Sequence, residues 1–191
     1  IVIYIKSIKR GYLVMKKILL LVLITFVSIS YIKADNTAYS NEIQDTFFGV
    51  KFGESKEVVK ANLLRKGFEI VNDGVDDMYI DHDENIRFGG YPWEGALVSF
   101  INNRFNSINF IMTLDRNPKL KLKTEEEAGI FLTILSDLSK KYNMSVTDDK
   151  DVITYRADFN GKYVALGWDV KNKIILLNYT DTSLGKVSDQ F

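Results

Sequence analysis

The chain of 191 residues sets 25 Lys and Arg against 25 Asp and Glu, with no cysteine and one histidine. That composition removes a disulfide framework, a thiol nucleophile and a lipid-bearing cysteine. It also leaves too few ligands for a zinc centre, which normally draws on two or more His or Cys side chains.

Residues 1–34 carry Lys6, Lys9, Arg10, Lys16, Lys17 and Lys33 and no acidic residue, and residues 18–32 are almost unbroken apolar sequence. This is a secretory signal pattern. Lys16 and Lys17 form the charged region, the apolar run follows, and Ser28-Ile29-Ser30 offers the small residues that a signal peptidase reads. Ala34 is a second cleavage point with the bulky Ile32 before it. The run is shorter than the roughly 20 apolar residues of a membrane span, so the expectation is a periplasmic or secreted protein with no stable membrane insertion after cleavage. Met15 reads as the start, with residues 1–14 as an upstream extension.

Beyond residue 34 the chain holds 19 bases against 25 acids, a net charge of about minus six. Nucleic acid is excluded as a partner, because neutralising phosphates takes a basic stripe. Lys119, Lys121 and Lys123 alternate with Leu120 and Leu122, which reads as an edge strand or linker kept soluble by charge. Residues 35–45 are polar enough for a flexible leader, residues 46–182 read as a single domain, and residues 183–191 as a frayed end.

Phe47, Phe48, Val50 and Phe52 make a short apolar strand. Ser55 then caps a helix with Glu57 in its first turn, Arg65 and Lys66 in its last, and Gly67 as a left-handed stop. Strands follow at residues 68–71, 78–80 and 86–88, the first ended by the Asn72-Asp73-Gly74 turn signal. Between the last two, Asp81, Asp83 and Asn85 place oxygens at alternate positions of a calcium loop. Ile86 stands where such a loop needs Gly and Pro92 where it needs Glu, so this is an irregular calcium candidate set beside a solvated hairpin turn.

Gly89-Gly90-Tyr91-Pro92-Trp93 breaks the strand pattern and reads as a loop. Tyr91 and Trp93 are therefore candidate partner-binding residues, since amphipathic aromatics on loops are favoured contacts; the alternative for Trp93 is a lid over one end of the sheet. A hairpin follows, with residues 96–101 and 105–112 flanking Asn102-Asn103-Arg104. Thr124 and Glu127 form a capping box at the start of a second helix, whose Phe131, Leu135, Leu138 and Tyr142 make a buried stripe. A meander over residues 152–159, 163–168 and 173–179 closes the domain, with Asn160-Gly161 as a type I′ turn.

These elements predict an α+β fold: two helix-then-antiparallel-strands units, with two helices packed on one face of an antiparallel sheet. Phe48 to Gly53 with Ser55 and the following helix, Phe88-Gly89-Gly90-Tyr91, Lys141-Tyr142-Asn143, Trp168 and the run Leu176 to Asp181 resemble small exported bacterial proteins of uncharacterised function. The helix-then-strands units are similar to those of the β-lactamase-inhibitor-like superfamily, which includes small envelope lipoproteins of outer-membrane barrel assembly. The resemblance implies a binding module rather than an enzyme; the lipid-bearing cysteine of the lipoproteins is absent here.

The expected function is thus a non-enzymatic domain that binds a protein or an envelope component, with no cofactor. Two alternatives accompany it: an extracytoplasmic hydrolase using paired carboxylates of residues 76–84, or a binder of an apolar ligand between helix and sheet. His82 in a polar segment, with no Gly-x-Ser-x-Gly elbow, offers no nucleophilic triad. N-terminal sequencing of the precursor is expected to begin at Met15; a product beginning at Ile1 or Val2 overturns that start.

Overall fold

The computed structural model describes residues 39–114, 124–149 and 152–189; the signal region and the lysine run at 119–123 lie outside them. Two short strands, β1 (Thr46–Phe47) and β2 (Val50–Lys51), pair as a ribbon. Helix α1 (Lys56–Arg65) follows, then strands β3 (Glu69–Asp73), β4 (Asp77–Phe88), β5 (Tyr91–Ile101) and β6 (Arg104–Thr113). Helix α2 (Thr124–Lys141) leads to β7 (Ser145–Asp149), β8 (Val152–Phe159), β9 (Lys162–Asp169) and β10 (Ile174–Asp181), and a 3-10 helix spans Thr182–Asp189.

Strands β3 to β10 form one antiparallel sheet in the order β3-β4-β5-β6-β10-β9-β8-β7. The last strand before α2 therefore pairs with the last strand of the sheet, and the earlier strands run outward from that central seam.

The expected α+β arrangement, two helices layered on a sheet, is overturned: the fold is mostly β, and an eight-stranded sheet dominates two helices of 10 and 18 residues. The reason lies in segments that read as breaks. Gly89 and Gly90, at φ 61 and 86, are the two central residues of a tight hairpin turn pairing Phe88 with Tyr91. Gly-Gly suits such a turn because both positions need positive φ. Strand β5 thus starts at Tyr91 and runs through Pro92. Proline is tolerated there because pairing of β5 with β6 begins only at Gly95, so the missing N–H interrupts no ladder on that side. The two short strands expected at 78–80 and 86–88 are one strand carrying a bulge, and β7 lies in a segment that showed no strand signal.

Helix α1 forms as its termini predict. Ser55 sits in an extended conformation and accepts from the Val58 N–H at 3.4 Å. At the other end Gly67, at φ 85, donates to the Leu64 carbonyl while Phe68 donates to that of Leu63, the paired bonds of a Schellman motif. In α2 Glu127 does not face solvent as a capping side chain would. It is 1% exposed with Oε1 3.1 Å from the Lys173 ammonium, which ties the helix to the β9–β10 turn. The Thr124 side chain lies outside the described residues.

Parts of the expected leader and of the expected frayed end are built into the fold. Ile43, in the expected leader, is buried, and Ser40 donates its N–H to the Lys141 carbonyl. The expected frayed end is helical through Asp189, with Leu184 against the core and the Thr182 N–H and hydroxyl both donating to the Gly161 carbonyl at 2.7 Å.

The core sits on one face of the sheet. Met78, Ile80, Val98, Ile108, Phe110, Leu177, Tyr179, Val164 and Leu166 are buried there, and the same core cluster includes Val59 and Leu63 of α1 and Phe131, Ile134 and Leu135 of α2. Phe110 lies near its centre, stacked on Phe88 at 4.2 Å and 6° and within 6.3 Å of Phe47, Phe48 and Trp93. Deleting a fully buried Phe ring costs about 3–5 kcal/mol. Urea unfolding of Phe110→Ala is expected to show a loss of that size with an unchanged slope; a loss below about 1 kcal/mol would mean the rings around it carry little of the stability.

Candidate functional site

Side chains of an antiparallel sheet alternate between faces, and residues directly opposite each other across strands share one. The register therefore lays out the face away from the core in rows. One row runs Leu97, Asn109, Asn178, Ala165 across β5, β6, β10 and β9. A second runs Ser99, Ser107, Thr180, Tyr163, and a third Gly95, Ile111, Leu176, Gly167. None of these twelve residues is charged. Charges stand on the strands to either side: Asp77 and Asp81 on β4, and Arg156 and Asp158 on β8, where the Arg156 guanidinium, bonded to Asp158, lies 3.7 Å over the Tyr163 ring.

Within the rows the polar groups satisfy one another. Asn178 Nδ2 donates to Asn109 Oδ1 at 2.6 Å and to Ser107 Oγ at 3.2 Å; Thr180 Oγ1 donates to Asn178 Oδ1 at 2.8 Å and lies 3.2 Å from Ser107 Oγ. This network locks the central rotamers, so the stripe is preorganised for a partner. Beside it Leu97, Ile111, Tyr163 and Tyr79 are half-buried and Leu176 is 36% exposed, and none of the five belongs to the core or packs against it.

The two glycines of the third row differ. A Cβ at Gly95 would collide with the Tyr79 hydroxyl and ring and the Ile80 carbonyl, so Tyr79 lies across that position; at Gly167 it would meet Thr154 and Val152 only at 3.6 Å. Leu176 thus stands opposite a glycine at which a methyl group would fit without a clash.

The residues singled out from sequence are distributed differently. Trp93 is on a strand, not a loop, and is fully buried, its indole N–H donating to the Phe88 carbonyl at 3.0 Å. It belongs to the core. Tyr91 also lies on the strand, half-buried, with its hydroxyl 2.6 Å from Asp137 Oδ2 on α2. Asp81 pairs in the ladder with Glu69 and Gly95, and its Oδ1 accepts from the His82 N–H. Residues 82–85 bulge out opposite Glu94, between the Asp81 and Ile86 pairs. The side chains of Asp83 and Asn85 lie outside the described residues. Among the described residues no three His, Asp or Glu converge on a metal position.

Asp73, one of the nearby acids, is committed elsewhere: Lys56 and Lys60 lie 2.7 and 2.6 Å from its two oxygens. The hydrogen bond from Lys56, then that from Lys60, holds its carboxyl below the usual range.

Sequence reasoning missed the open face because it followed the apolar phase of each strand. The off-phase positions Leu97, Asn109, Leu176 and Asn178 carry neutral residues where an ordinary solvent face carries Lys and Glu, and that was the available signal. Among known proteins, no family model, no curated protein and no solved structure matches the chain.

Burial, and then the hydrogen bond to Asp137, pushes the Tyr91 phenol from 10.0 up to about 12. The folded state holds this proton more tightly than the unfolded chain, so the stabilisation is complete below pH 10 and disappears as pH rises from 10 toward 12. The stability difference between the protein and Tyr91→Phe is expected to shrink across that window in urea titrations; a difference independent of pH would show that the phenol keeps its ordinary affinity.

Proposed function

We propose that the protein is a non-enzymatic binding module whose partner is another protein, docked on the uncharged rows of the open sheet face. One observation carries the reading: twelve neutral residues in register on four strands, with Leu97, Ile111, Tyr163 and Leu176 partly exposed, outside the core, around a satisfied polar network on the two central strands. Protein interfaces are depleted in charge at their centres, and the centre of this face is uncharged. The partner surface that fits is itself uncharged at its centre, because a charge brought against these rows would lose water without gaining a counter-ion.

The setting we propose is outside the cytoplasm, resting on the Lys16-Lys17 region and the apolar run after it. The likeness to the β-lactamase-inhibitor-like superfamily is part of the same proposal, supported by the glycine and aromatic motifs at residues 48–53 and 88–91.

The test is capture of a partner from envelope extract with the tagged full chain, then direct binding of the purified partner to the protein and to Leu176→Glu. The substituted side chain is exposed, so thermal unfolding is expected to stay within about 0.5 kcal/mol of the parent. Binding is expected to weaken roughly thirtyfold or more, the loss of a central contact worth at least about 2 kcal/mol. Unchanged affinity removes the open face as the interface.

A further inference from the structure

An open cleft of about 760 Å³ lies where residues 40–46, β2, the end of α2 and the β8–β9 turn meet. Its volume is that of a small-molecule site, and it shares no residue with the open sheet face. Three lysines line it, Lys51, Lys141 and Lys162, against the two acids Glu42 and Asp45. The formal charge of the lining is thus plus one, in a domain whose acids outnumber its bases.

The distribution of that charge is uneven. Asp45 Oδ2 lies 2.8 Å from Lys162 and 3.5 Å from Lys51. Burial alone would raise this carboxyl; hydrogen bonds from Lys162 and Thr46 and the charges of Lys162 and Lys51 outweigh it and hold it below its usual value, so Asp45 is ionised and neutralises one lysine. Among the described residues no carboxylate pairs with Lys141, whose ammonium sits 5.0 Å over the ring of Tyr142. Phe159, half-buried against the core, supplies an apolar wall beside these cations.

We propose that this cleft binds a small organic monoanion, a carboxylate with an aliphatic or aromatic arm. The carboxylate meets the ammonium groups of Lys141 and Lys51, and the arm lies along Phe159. A monoanion matches the excess charge, and an apolar arm matches the wall; a cation would face three ammonium groups.

The probes are hexanoate, acetate and hexylammonium, titrated into the isotope-labelled full chain and followed by amide resonances. Hexanoate is expected to give saturable shifts at Gln44, Asn160 and Lys162, while acetate, which lacks four methylene groups, binds at least about tenfold more weakly. Hexylammonium is expected to leave these resonances in place. Lys141→Ala, an exposed substitution that keeps the backbone bond from Ser40, is expected to weaken hexanoate while amides outside the cleft stay where they were. Absence of saturable shifts, equal effects of hexanoate and hexylammonium, or undiminished binding by Lys141→Ala each overturns the proposal.

Discussion

Phe47 is the contact on which the arrangement of the other elements depends. Its ring lies within 6.3 Å of five others, Phe52, Phe88, Phe105, Phe110 and Tyr179, drawn from the chain after β2, β4, β6 and β10. With the Gly53 N–H donating to the Phe105 carbonyl just beyond the ribbon, that side chain and its neighbour Phe48 hold the ribbon over the central seam. The turn between them sets a cost. Phe48 has φ 53, a left-handed conformation that disfavours an L residue by about 1–2 kcal/mol. Its ring packs 4.7 Å from Phe68, 6.0 Å from Phe110 and 6.4 Å from Phe88. With about 0.5–1.5 kcal/mol for each aromatic pair beyond area burial, the contacts offset the strain.

Sealing one face with rings decides what the other can be. The same alternation that sends Ile108, Phe110, Leu177 and Tyr179 into the core sends Ser107, Asn109, Asn178 and Thr180 outward, residue by residue across the seam. A one-residue slip would exchange the two sets. Register is therefore pinned by the aromatic core, and the chemistry of the outer face follows from it, with no helix or strand among the described residues placed there to hold it. The amide and hydroxyl network then rigidifies what the register has arranged, because Asn178 donates across to Asn109 on the neighbouring strand and Thr180 donates along its own strand to Asn178.

Local signals in the sequence were reliable where one or two residues decide the backbone. Ser55 and Gly67 bound α1, and Asn160-Gly161 has both residues at positive φ between β8 and β9. Legibility failed where the same residue type serves two geometries. Gly89-Gly90 reads as a break or as a hairpin turn, and only pairing across it distinguishes them; the breaking interpretation moved Tyr91 and Trp93 onto a loop. Glu127 fits a capping box on spacing alone, yet Lys173, far along the chain, draws it into a buried ion pair. The class of fold was misjudged because β7 and the continuous β4 are defined by pairing with their hairpin neighbours β8 and β5, and the sequence reading missed both turns.

The remaining question is why a partner should choose the face over the edges, since an unpaired strand is the commoner docking device in sheets. Both edges are blunted. Edge strand β3 is interrupted by a bulge between Ile70 and Asn72, and its end is held by Lys56, 15% exposed, which bonds Asp73 and the Gly74 carbonyl and lies 5.6 Å over the Phe100 ring. Edge strand β7 is five residues long, and its Ser145 and Thr147 hydroxyls turn inward to the carbonyls of Arg156 and Thr154. An added strand would meet a kink on one side and a short ladder on the other. The uncharged rows on the central strands present no edge to be blunted, and the exposed Leu176 among them gives a partner side chain an apolar contact.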